Sequence, residues 1–117
     1  MLNEKANDLG RLIGQSPEYQ AVKRANESLQ EDQALLSSLQ RMDQLRTEAQ
    51  GMLQHGQQPT AEMEQELDQL LTKVQGSMLY QRVLSANENF DKVMMQVNQW
   101  ILEGIKKGAT SSIITLG

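Results

Sequence analysis

The sequence predicts an all-α protein of four helices, short-long-short-long, whose long antiparallel helices pack in an oligomeric helical bundle. Three observations predict it. Apolar residues return at three- and four-residue steps along nearly the whole chain, the spacing of one helix face. Cap and breaker residues cut that pattern at three places: Gly14 to Pro17, Gly56 to Thr60 and Gly76-Ser77. Two of the resulting helices are too long for a chain of 117 residues to cover by itself.

The first helix carries Leu2, Ala6, Leu9 and Ile13 on one face, with Asn3, Glu4 and Asp8 near its N-terminus, where the helix dipole favours negative groups. Gly14 suits a left-handed terminus. Ser16 then caps a new helix, and Pro17 fits its first position, where a missing N–H costs nothing.

This second helix is expected from Pro17 to Met52 or Gln54. Val22, Ala25, Leu29, Leu36 and Leu39 form its seam, continued by Met42, Leu45, Ala49 and Met52. The step from Leu39 through Met42 to Leu45 departs from a strict heptad, so the stripe drifts around the helix. Asp32 falls on this stripe, either as a buried polar residue that fixes register or as an exposed one at its edge. Gly56 is the expected terminal residue, and Pro59 bars continuation. Thr60 caps a third helix with Glu62 and Glu64 in its first turn and a seam of Met63, Leu67, Leu70 and Val74, widened by Leu71.

The fourth helix, residues 78–107, organises the rest. Leu79, Val83, Ala86, Phe90, Val93, Val97 and Trp100 mark its seam, and Met94, Ile101 and Ile105 widen it. About 30 helical residues span roughly 45 Å. The chain therefore reads as one helical domain, 1–107, and a C-terminal tail, 108–117. The tail is rich in Ser, Thr and Ile, which suits a short extended segment held against a partner. No repeat of fixed period and no low-complexity tract stands out.

Composition narrows the function classes. The net charge is -4, and the adjacent basic pairs Lys23-Arg24 and Lys106-Lys107 are too few to neutralise many phosphates, which disfavours direct nucleic-acid binding. There is no cysteine, hence no disulfide, thiolate metal site or Cys nucleophile. The N-terminus lacks a signal-peptide pattern and no apolar run reaches the length of a membrane span, so a soluble cytoplasmic protein is expected.

Candidate chemistry is sparse. His55, the single histidine, sits where the helix dipole favours a cation; as a catalytic base it would need an orienting carboxylate and a pocket. Glu62, Glu64, Glu66 and Asp68 spread around their helix and lack the Glu-x-x-His motifs of metal-binding bundles. Asn98 lies beside the Val97–Ile101 stripe, where it could bond across an interface or face water. No phosphate loop, catalytic triad or nucleophile elbow is present. No cofactor and no catalytic residue is expected. The interface candidates are Tyr19, Leu36, Leu39, Phe90, Met94, Met95, Val97, Trp100 and Ile101.

Several short motifs, in this order and spacing, resemble a known family. They are Ala6-x-x-Leu9-Gly10-x-x-Ile13, Ser16-Pro17-Glu18-Tyr19, Ala25 with Asp32, the Gly56 to Thr60 turn, Ala86-Asn87-Glu88-Asn89-Phe90, and Val93-Met94-x-x-Val97-Asn98-x-x-Ile101. Together they resemble the YlbF/YmcA/YheA family of small bacterial helical proteins, over residues 1–105. The resemblance implies an all-helical dimer or tetramer without catalytic activity. Some members are regulatory partners in a complex that influences competence, sporulation and biofilm formation. That complex is linked to ribonuclease Y and RNA maturation, and binds iron–sulfur clusters through cysteines. This chain has none, so cluster binding does not carry over and a YheA-like member fits better. The expected function is that of a non-enzymatic regulatory adaptor that binds itself and another protein. The alternative is a ligand- or metal-binding bundle using carboxylates and His55.

Overall fold

The computed structural model describes the backbone of residues 1–116 and the side chains of residues 1–110. Five helices account for it: α1 (Leu2–Gly14), α2 (Pro17–Glu31), α3 (Gln33–Gln54), α4 (Ala61–Gln75) and α5 (Met78–Leu116). The predicted long second helix is thus two. The residue that divides it is Asp32, whose backbone is extended (φ -94, ψ 90). Its carboxylate accepts a hydrogen bond from the Leu35 amide at 3.0 Å and so caps α3. Asp32 neither fixes register in a seam nor stands in water at its edge; it is a helix cap.

The break also explains the drifting stripe. Carried across Asp32, the pattern gives Leu36 and Leu39. Restarted after it, Leu35, Ser38, Met42, Leu45, Ala49 and Met52 fall at strict three-four steps, and the first four of these are buried. Ser38 tolerates burial because its hydroxyl donates to the Ala34 carbonyl at 3.1 Å.

The other caps follow the sequence closely. The hydroxyls of Ser16, Thr60 and Ser77 accept from the amides of Tyr19, Met63 and Tyr80 at 3.2, 3.1 and 3.2 Å. Gly56 takes φ 75, and α3 closes with the Gln57 amide on Met52 O (2.8 Å) and the Gly56 amide on Leu53 O (3.1 Å). This is the paired bonding that favours glycine after a helix. Gly14 differs from expectation: α1 ends through Gln15 in a right-handed conformation (φ -89, ψ -6), with no left-handed residue. The last helix also differs, since α5 continues to Leu116 where an extended segment was expected. Thr110 fits the helix by donating its hydroxyl to Lys106 O at 2.8 Å.

Two interfaces hold the chain together. α2 lies antiparallel to α5, with Ala25 against Val83 and Ala86, and Ala21, Val22 and Leu29 at the margin. α3 lies against α4, where Leu35, Met42 and Val74 form a cluster joined by Leu39, Leu67, Leu70, Leu79 and Tyr80. The whole is elongated, 69 × 37 × 20 Å, with a radius of gyration of 21.7 Å. A compact chain of this length would have about 13 Å.

The structure reveals an internal duplication where no repeat was expected. Ser16, Tyr19, Gln20, Val22, Ala25, Asn26 and Glu27 recur at one constant spacing as Ser77, Tyr80, Gln81, Val83, Ala86, Asn87 and Glu88. The same spacing pairs Leu9 with Leu70 and Ile13 with Val74, so α1 and α2 correspond to α4 and the first half of α5. The corners share most of their bonds, and Ser16 adds one, its hydroxyl donating to Ile13 O at 2.6 Å. Gln20 Nε2 donates to Gly14 O at 2.9 Å, and Gln81 Nε2 to Gln75 O at 3.1 Å. The Ser16 and Ser77 amides reach back to Ile13 O and Val74 O at 3.1 and 3.0 Å. Tyr19 meets Phe90 edge-on, ring centres 5.3 Å apart, while Tyr80 joins the cluster containing Leu29, the counterpart of Phe90. The two units thus face each other about an approximate two-fold axis near Ala25 and Ala86. The duplication evades a search for periodicity because it occurs only twice and α3 stands between its halves.

Candidate functional site

The last helix builds the site. Up to Val97 its apolar face is occupied: Val83, Ala86 and Val97 are buried, and Leu79, Phe90, Val93 and Met94 are half-buried. Beyond Val97 every residue through Thr110 is exposed, although the sequence keeps its apolar stripe. Met95 is 71 % exposed, Trp100 59 %, Ile101 44 %, Leu102 58 % and Ile105 60 %. At the other end of the chain Leu2 and Leu12 on α1 are also bare.

The interface candidates therefore separate. Tyr19 and Phe90 meet each other, and Leu39 packs beside the α3–α4 cluster. Leu36 and Met94 are half-buried and Val97 is buried within the chain. Trp100 and Ile101 lie on the open arm, and Met95 is bare just before it. Leu102, outside the predicted seam, adds exposed apolar surface, and Leu2 on the predicted face of α1 is bare, because seam logic assigns a side chain to a face and not to a partner.

The polar groups offer less. Arg41 and Glu66 form a forked pair between α3 and α4, Nε to Oε1 at 2.6 Å and Nη2 to Oε2 at 3.1 Å. The hydrogen bond from Arg41, helped by its charge, holds the Glu66 carboxyl below the ordinary carboxylate range, and the Glu66 bond pushes the guanidinium up. The pair locks two helices and leaves no free base. His55 caps α3 in the open, with Nδ1 2.8 Å from Gly51 O. Among the described residues no three His, Cys, Asp or Glu side chains converge as metal ligands. A groove of about 390 Å³ between α2 and α5 is floored by Ala21, Ala25 and Ala86 and rimmed by Arg24, Ser28 and Arg82. It exists because small side chains let the two helices approach. No helix among the described residues is long and apolar enough to cross a membrane.

Comparison with known proteins agrees with this architecture. Residues 2–106 match the family described as control of competence regulator ComK, YlbF/YmcA. A UPF0342 protein of Limosilactobacillus reuteri (strain DSM 20016) is 27% identical over 103 residues, which cover 88% of this chain and 84% of that protein. A UPF0342 protein of Streptococcus pyogenes serotype M5 (strain Manfredo) is 27% identical over 101 residues, 86% of this chain and 89% of its own length. With residues 2–106 matched, this helical chain belongs to the YlbF/YmcA family.

Proposed function

We propose that this chain is a non-enzymatic regulatory adaptor of the cytoplasm that self-associates and binds another protein through the apolar arm of α5. One observation carries the reading: Met95, Trp100, Ile101, Leu102 and Ile105 stand in water on a single helix. Isolated exposed apolar residues are ordinary, but a run of large ones including Trp is the composition of an interface core. The family description, control of a competence regulator, supports a regulatory role. Residues 1–107 act in this reading as one domain, with 108–117 as an appended tail.

Size-exclusion chromatography with light scattering tests the self-association. An assembly larger than one chain at micromolar concentration is expected, and a folded monomer overturns it. Capture from the native host tests the adaptor role. A protein retained by the wild type and lost with Ile101→Asp, at unchanged helicity, supports it; recovery of no protein under gentle conditions counts against it.

A further inference from the structure

Resting on the self-association proposed above, we infer that the apolar face of α1 is the seat for the α5 arm of a second copy of this chain. The duplication supplies the template. On α4 the face formed by Met63, Leu67, Leu70 and Val74 is turned toward α3. The same positions on α1 are Leu2, Ala6, Leu9 and Ile13. There the cover is missing: Leu2 is 87 % exposed, Ala6 is exposed, and Leu9 and Ile13 are only half-buried.

The helix that should provide the cover is present in the chain but carried away from it. α3 follows α2 through the break at Asp32 and folds back along α4. The segment that follows the corresponding part of α5 carries Val97 at the position of Leu36 and Trp100 at that of Leu39, with Ile101 beside it. Val93, near the register of Asp32, is an ordinary helical residue, so α5 does not turn. Its arm runs on into water instead of folding back.

Such an arm needs a neighbour. Gly104, Gly108 and Thr110 are poor helix formers, and helices of this length without tertiary cover are marginal in water. From Val97 to Leu116 the arm spans roughly 30 Å, enough to lie along α1, whose length is about 20 Å. Each copy offers one arm and one seat, so two copies exchanging arms close on themselves about a two-fold axis. Trp100 and Ile101 enter the seat first, beside Ile13 and Leu9.

The chain has no cysteine, so introduced thiols report without interference. Leu9→Cys and Ile101→Cys are made as separate single variants, refolded together and oxidised mildly. The inference expects a disulfide joining one variant to the other, in several-fold excess over either self-linked product. Ala6→Cys with Gly104→Cys is a second pair; both positions are exposed, and a side chain at Gly104 meets nothing within 4 Å. A folded dimer that links Ile101→Cys only to itself shows arm on arm, which overturns this seat and leaves self-association standing. A folded monomer overturns both.

Discussion

The two halves of the duplication share a corner and differ in cover. In the α4–α5 unit, α3 lies on α4 and Val74 is almost wholly buried. In the α1–α2 unit the equivalent Ile13 is half-buried, and α1 contributes no buried residue. The corner itself is indifferent to this. Ser16 and Ser77 cap Tyr19 and Tyr80, and Gln20 and Gln81 reach back across the turn, alike in both places; Ser16 alone adds a hydroxyl bond to Ile13 O. Local sequence thus shapes how one helix turns into the next, while the break capped by Asp32 marks where the following segment folds back. A covered unit and an open one stand side by side in the same chain.

The largest expected effect separates the two halves directly. Leu45→Ala, in the covered half, removes a side chain only 2 % exposed and costs about 2–5 kcal/mol in urea unfolding, by lost burial plus the cavity left behind. Ile105→Ala, on the open arm, costs within about 0.5 kcal/mol while copies remain apart. Raising the protein concentration enlarges the Ile105→Ala cost if a second copy covers the arm. A cost that stays small at every concentration says that the arm remains in water.

The approximate two-fold axis sets the next test. Ala25→Leu and Ala86→Leu each overpack the α2–α5 contact and lower stability by about 1–3 kcal/mol. Because the two sites are counterparts, their thermal midpoints should fall by similar amounts. A large difference between them breaks the symmetry.

The caps come third. Ser77→Ala costs about 1 kcal/mol through loss of the bond to Tyr80, and Ser16→Ala costs at least as much, since it loses the bond to Tyr19 and the hydroxyl bond to Ile13 O as well. Asp32→Ala has no counterpart in α5 and costs about 0.5–2 kcal/mol. It also weakens the break that turns α3 back, so the variant should show greater exposure of the α4 face, read by amide exchange at Leu70 and Val74.

Most of this fold can be read along the chain. Ser16-Pro17, Thr60 and Ser77 announce their helices because capping is a contact between neighbours in sequence. The bare arm is legible as an apolar stripe through Trp100 and Ile101, since periodicity records which face is apolar. Other features were less legible. Asp32 is read as a seam residue because the stripe continues on both sides of it, and only a one-residue change of phase, from Leu36 to Leu35, betrays the break. The exposure of Trp100 beside the burial of Val97 is likewise beyond periodicity. Both lie on one stripe, and what separates them is where the neighbouring helix ends.

The smallest expected effect concerns the pair that ties α3 to α4. Arg41 holds Glu66 below its ordinary range in the folded chain, so unfolding raises the affinity of this carboxyl for protons. Its contribution to stability is therefore complete above the usual carboxylate range and is lost as the pH falls through the lowered folded value. Glu66→Gln should make the unfolding midpoint less sensitive to acid in that window, with little change at neutral pH, because both partners remain partly in water. The first half has no equivalent bond, since Lys5 occupies the position of Glu66 and α1 has no α3-like neighbour folded along it within the chain. Lys5→Gln should accordingly leave the acid dependence unchanged. If Lys5→Gln shifts it as Glu66→Gln does, α1 already has a charged neighbour across its face, and the open half of the molecule is not open.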